Sequence, residues 1–120
     1  PSGGELEFVQ RFQSIGSSTD GSFIIETNPF NPQNDPVRFA YILTETSEVA
    51  FRIFTLTGEL VYEQILNLGE PGTNVSDTPH IIYWDGTNDN GQIVLNGVYL
   101  AYLSVKATDS ESVIKVAVVK

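Results

Sequence analysis

The chain contains no cysteine, which excludes disulfides, thiolate metal sites and thiol nucleophiles. Histidine is nearly as scarce: His80 is the only one. Cations are few, with 6 Lys and Arg against 15 Asp and Glu for a formal net charge of −9. A surface of that sign repels phosphate backbones and anionic lipid heads, so neither nucleic acid nor a membrane surface is an expected partner. No apolar run approaches the roughly 20 residues that a membrane helix needs, so no direct membrane insertion is expected. The opening residues also lack the basic-then-apolar order of an export signal. Pro1-Ser2-Gly3-Gly4 reads instead as linker, and the expectation is a piece of a longer protein, with any export signal upstream.

What the chain does have is length enough for one domain: 120 residues, a size that buries roughly two-thirds of its unfolded surface without covalent staples. Export does not require cysteine at that size. Helical periodicity is missing almost everywhere, whereas alternation with period two recurs. Val37, Phe39, Tyr41 and Leu43 share one parity, and Val49, Phe51 and Ile53 repeat the pattern. Side chains alternate between the faces of a strand, so each set can line a buried sheet face. Phe23–Thr27, Leu60–Leu66, Ile81–Trp84, Val98–Ala107 and Ser112–Val119 are further strand candidates, rich in β-branched and aromatic residues. Leu6–Phe12 is one more.

Turn formers separate these runs. Thr57-Gly58 reads as a tight hairpin, Asp85–Gly91 is an unbroken stretch of turn residues, and Asn96-Gly97 precedes the longest strand. Thr108–Glu111 joins the last two strands, and Leu68–Pro79 is the longest stretch without a pattern. Seven or eight short antiparallel strands punctuated in this way predict an all-β immunoglobulin- or fibronectin-III-like sandwich, with an open barrel as the competing architecture. Residues 22–120 are expected to form the domain, and residues 1–21 a linker or a leading edge strand.

Four blocks carry a more specific likeness: Asn28-Pro29-Phe30-Asn31-Pro32 before the Val37 strand, Val49 to Val61 around Thr57-Gly58, Trp84-Asp85-Gly86-Thr87-Asn88-Asp89-Asn90-Gly91, and Asn96-Gly97-Val98-Tyr99. In this order and spacing they resemble the immunoglobulin-like domain of the flagellar hook-capping (FlgD-like) type, close to the C-terminal sorting domain of type IX secretion substrates. The ending Lys115–Lys120 is similar to the end of such proteins. The resemblance covers about Asn28 to Lys120. It implies a non-catalytic module of a secreted or cell-surface bacterial protein that recognises other proteins: export machinery, domains of its parent, or neighbouring subunits. A scaffold or filament subunit and a carbohydrate-binding accessory domain are the alternatives. Leu68–Pro79 looks longer than the family's usual connection, and residues 1–21 lie outside the pattern.

Physically, the blocks read as structural. Trp84, the only tryptophan, is expected to cap the core and donate its indole N–H. Asp85 is expected to bond the backbone of the following turn, with Gly86 and Gly91 supplying positive φ. The prolines at 29 and 32 remove N–H donors, so that block should form a kink or an edge.

Chemical alternatives find little support. Asp85, Asn88, Asp89 and Asn90 offer calcium-type oxygens, but Thr87 falls on a ligand position of the calcium-hand pattern and no glutamate follows Gly91. A polar turn is the expected reading. His80 and Ser76 lack a Gly-x-Ser-x-Gly elbow, and the plentiful carboxylates show no sign of a cleft. Phe54, Tyr62, Tyr83 and Tyr102 are candidates for a sugar-stacking platform if they all face outward. The sequon Asn74-Val75-Ser76 is accidental in a bacterial chain. No catalytic, cofactor-binding or metal-binding residues are expected, and no cofactor. Leu6–Phe12 could add itself to a neighbour's sheet edge or close its own sheet.

Overall fold

Seven of the expected runs form strands among the described residues: β1 (Phe23–Ile25), β2 (Val37–Tyr41), β3 (Val49–Thr55), β4 (Leu60–Leu66), β5 (His80–Trp84), β6 (Gly97–Val105) and β7 (Ser110–Val118). The computed structural model describes residues 23–120, and no helix occurs among them. The Leu6–Phe12 strand and the reading of residues 1–21 lie outside the described residues. Two antiparallel sheets result, one in the order β1-β2-β5 and the other β4-β3-β6-β7. The chain changes sheet between β2 and β3, again between β4 and β5, and again before β6. This is the Greek-key layout of an immunoglobulin-like sandwich, and it sets aside the barrel.

The parity sets meet where alternation places them. Val37, Phe39 and Tyr41 from one sheet share a buried core with Val49, Phe51, Ile53, Leu103 and Val105 from the other. The Phe39 and Phe51 rings meet across the sheets at 5.1 Å between centroids. Ala40, on the opposite parity of β2, is also fully buried, because Ile24, Ile42 and Ile81 close over it on the outer face.

β1 is shorter than the expected Phe23–Thr27 strand, ending at Ile25. The chain turns away through the cis Asn28–Pro29 bond, and the proline block becomes an edge segment along β7. The Phe30 N–H donates to the Ala117 carbonyl at 2.8 Å, and the Val119 N–H donates to the Phe30 carbonyl at 2.9 Å. Asn28 completes the strap with its side chain, accepting from the Ala117 N–H at 2.9 Å and donating to the Lys115 carbonyl at 3.0 Å. Backbone groups of β7 that would template another strand are thus occupied over this stretch.

The long connection after β4 is held at its middle. The Ser47 N–H donates to the Thr73 carbonyl at 2.8 Å, the buried Thr73 hydroxyl donates to the Glu70 carbonyl at 2.7 Å, and the Tyr41 hydroxyl donates to the Gly72 carbonyl at 2.9 Å. Burial pushes the Tyr41 phenol up from 10.0 to about 12. Between those values the unfolded chain releases a proton that the folded chain keeps, so stability is complete below about pH 10 and falls as pH rises toward 12. Burial raises Tyr62 and Tyr99 in the same direction. Urea unfolding across this alkaline range should show the fall, and Tyr41→Phe should remove most of it. At neutral pH that variant should cost about 1–2 kcal/mol, because the Gly72 carbonyl loses its donor. An alkaline slope unchanged by Tyr41→Phe would contradict this assignment.

Candidate functional site

The four sequence blocks converge at one end of the sandwich. Trp84 closes the core there: it is 1% exposed, its indole N–H donates to the Thr87 carbonyl at 2.8 Å, and its ring lies 5.7 Å from Phe30 and 6.0 Å from Tyr99. Blocks separated by tens of residues in sequence thus share one aromatic cluster. The β3–β4 hairpin joins them through a β-bulge. Ile53 pairs with Tyr62 and Phe54 with Leu60, leaving Val61 as the extra residue. Its carbonyl accepts from the Asp89 N–H at 3.0 Å, while one Asp89 carboxylate oxygen accepts from the Glu63 N–H at 3.3 Å. Asp89 therefore stands in for a neighbouring strand along the β4 edge.

The turn itself is built from its own polar side chains. Asp85 accepts from the Thr87 N–H at 3.2 Å and from the Thr87 hydroxyl at 2.6 Å. The Asn88 side-chain oxygen accepts from the N–H groups of Asn90 and Gln92, at 2.9 and 3.0 Å. Of the oxygens considered as calcium ligands, those of Asp85, Asn88 and Asp89 are engaged in shaping this end, and no three acidic, histidine or cysteine groups form a metal-sized cluster among the described residues. Asn96 does not brace its own turn; its side-chain oxygen accepts from the Lys120 N–H at 3.0 Å.

The other candidates are dispersed. His80 opens β5 rather than lying in the loop, and its Nε2–H donates to the Asn74 carbonyl at 2.7 Å. Ser76 interacts instead with Thr78. The four aromatic residues do not share a surface. Tyr83 is 52% exposed on the outer face of the three-stranded sheet. Phe54 and Tyr102 meet edge to face at 5.0 Å on the other sheet. Tyr62 turns inward against Phe51, at 6.3 Å between centroids, which corrects its expected outward parity.

Beside the aromatic cluster lies an open groove of about 610 Å³, lined by residues that include Glu59, Leu60, Asp89, Ile93, Leu95 and Tyr99. Leu95 is 78% exposed, Ile93 49% and Leu60 48%. The sequence signal for this site is the apolar triplet Ile93-Val94-Leu95, too short to register as an alternating strand. Only its middle residue is buried. The Val94 N–H is fixed by the Gly86 carbonyl at 2.9 Å, and with Val94 directed to the core its two neighbours are directed outward. The Tyr99 hydroxyl donates to the Leu95 carbonyl at 2.7 Å and holds that backbone in place.

The fold and this end define an immunoglobulin-like sandwich module, with seven strands among the described residues. No family model matches the chain, and no curated protein matches it. Among solved structures it is similar to PorZ, described as an essential bacterial surface component of the type-IX secretion system of Porphyromonas gingivalis, with a TM-score of 0.58 and 22% identity over 82% of this chain and 11% of that one. It is similar to dimeric latent PorU from Porphyromonas gingivalis, with a TM-score of 0.58 and 25% identity over 81% of this chain and 9% of that one. It is also similar to FlgD from P. aeruginosa, with a TM-score of 0.55 and 18% identity over 82% of this chain and 74% of that one. The chain thus corresponds to about a tenth of the length of PorZ and PorU. A type-IX secretion component and FlgD stand together among these neighbours, matching the resemblance carried by the four blocks.

Proposed function

We propose that the chain is a non-catalytic immunoglobulin-like module of a secreted or cell-surface bacterial protein, working by protein–protein recognition in export sorting, surface anchoring or spacing. Residues 22–120 are its folding unit, and residues 1–21 its linker or leading strand. The observation that carries this reading is the convergence of the four blocks around Trp84, in a fold like that of modules within PorZ and PorU. Ser76 bonds Thr78 and His80 bonds the Asn74 carbonyl, while the residues of the blocks build one end of the sandwich. The partner is a protein of the export apparatus, the parent chain or a neighbouring subunit.

A fusion of the chain to a reporter enzyme, expressed in a bacterium with a type IX apparatus, should place the reporter outside the cell. Deletion of β7 should return it to the cell interior, because β7 supplies the inward Val116 and Val118 and the seat of the Phe30 strap. A reporter retained with the intact chain would rule out export sorting. The likeness to FlgD over most of both chains favours a scaffold subunit as the second reading. That role predicts oligomers that grow with concentration in size-exclusion chromatography.

A further inference from the structure

We infer that the groove beside Trp84 is a docking site for an extended segment of a partner protein, one that presents an apolar side chain flanked by lysine or arginine. The inference rests on the recognition reading above and assigns its surface and the chemistry of its partner.

Three large aliphatic side chains, Leu60, Ile93 and Leu95, lie largely exposed along one concavity. Single exposed leucines are ordinary on a protein surface, but a group gathered in a polar-rimmed groove is the pattern of a binding site. Their exposure is built in, since Val94 takes the core position between two of them and Tyr99 pins the Leu95 backbone. Polar side chains at 93 and 95 would fit the same backbone, so the fold does not require aliphatic ones there.

The rim sets the partner's charge. Glu59 and Asp89 line the groove, and among the described residues no lysine, arginine or histidine does. Asp85 and Asp89 add to burial in raising the Tyr62 phenol, so their negative charge is felt across this end of the sandwich. The net charge of −9 favours encounter with a cationic segment over an anionic one.

The walls are already ordered. Asp89 is bonded to the Val61 carbonyl and to the Glu63 N–H, and Asn88 holds Asn90 and Gln92. Docking would therefore immobilise little on this side. The same Asp89 bonds occupy the β4 edge beside the bulge, so the partner engages through side chains in the groove rather than by adding a strand there.

The test is amide-resolved NMR of the 120-residue chain titrated with three Gly/Ser-framed peptides, carrying Lys-Leu-Lys, Glu-Leu-Glu or Lys-Ser-Lys. The Lys-Leu-Lys peptide should produce saturable shifts confined to residues 59–61 and 88–95, weakening as salt is added. Leu95→Ser and Glu59→Lys should each weaken binding by about tenfold or more. Their thermal midpoints should match the parent's, since both side chains are exposed. Equal binding of the Glu-Leu-Glu peptide, shifts located elsewhere, or affinity untouched by both variants would overturn the inference. Absence of saturable shifts would do the same. If the reporter is still exported while the titration fails, the groove assignment falls and the recognition reading stands. If the titration succeeds while the reporter is retained, export sorting falls and the groove remains.

Discussion

Trp84→Ala should lower the stability of the chain by about 3–5 kcal/mol, the range for removing a large aromatic side chain from a packed core. The indole is 1% exposed and sits between Phe30 and Tyr99. Its loss leaves a cavity where four separate segments meet, together with a Thr87 carbonyl that has lost its donor. For a domain of ordinary stability, about 5–15 kcal/mol, that is a large fraction of the total. The thermal midpoint should drop by more than about 10 °C. Trp84→Phe should lose less, keeping most of the volume and forfeiting only the N–H bond. Tyr83→Ala is the matched control: one residue away, on the opposite parity and 52% exposed, it should change stability by no more than about 0.5 kcal/mol. Far-ultraviolet circular dichroism during urea unfolding reads all three without relying on the tryptophan signal. Equal midpoints for Trp84→Ala and Tyr83→Ala would mean that the aromatic cluster does not hold the end of the sandwich together.

Gly86→Ala should be the next most damaging change, at about 2–5 kcal/mol, and Gly91→Ala separates its causes. Both glycines have positive φ, +83° and +79°, so an alanine at either position pays about 1–2 kcal/mol for a left-handed backbone. At Gly91 a methyl group would meet nothing within 4 Å. At Gly86 it would lie 2.6 Å from Pro32 Cβ and 3.3 Å from the tip of the Phe30 ring. A proline ring cannot rotate aside, so the strap against β7 must move, at a further cost of about 1–3 kcal/mol. The difference between the two variants therefore measures how tightly the Pro32 block is seated against the Trp84 turn. Matching unfolding midpoints would show that seat to be loose.

Much of this fold is legible in the residues because the central strands alternate cleanly. Val37-Phe39-Tyr41 and Val49-Phe51-Ile53 declare their inward faces, and Gly58, Gly86 and Gly91 mark turns that use positive φ. The edge strand β4 is less clear. Its two parity sets, Val61-Glu63-Ile65 and Tyr62-Gln64-Leu66, each mix apolar and polar side chains. The bulge at Val61 then interrupts the count, so Tyr62, a candidate for the outward face, turns inward in the fold. The groove is harder still to foresee. Ile93-Val94-Leu95 looks like a fragment of core, but only Val94, bonded to Gly86, is buried, and its neighbours face solvent. Spatial convergence of the four blocks, by contrast, is a property of strand order, which no local pattern encodes.

The strap beside β7 also bears on how the molecule responds to force. Phe30 and Val118 run parallel, so tension applied in opposite directions to the segment before Asn28 and the chain after Val119 slides the two lines past each other. The backbone bonds at Phe30 and the paired Asn28 amide must then break together, whereas antiparallel ends would peel apart one bond at a time. Under such a load the chain would hold its shape until that small shear clamp gave way.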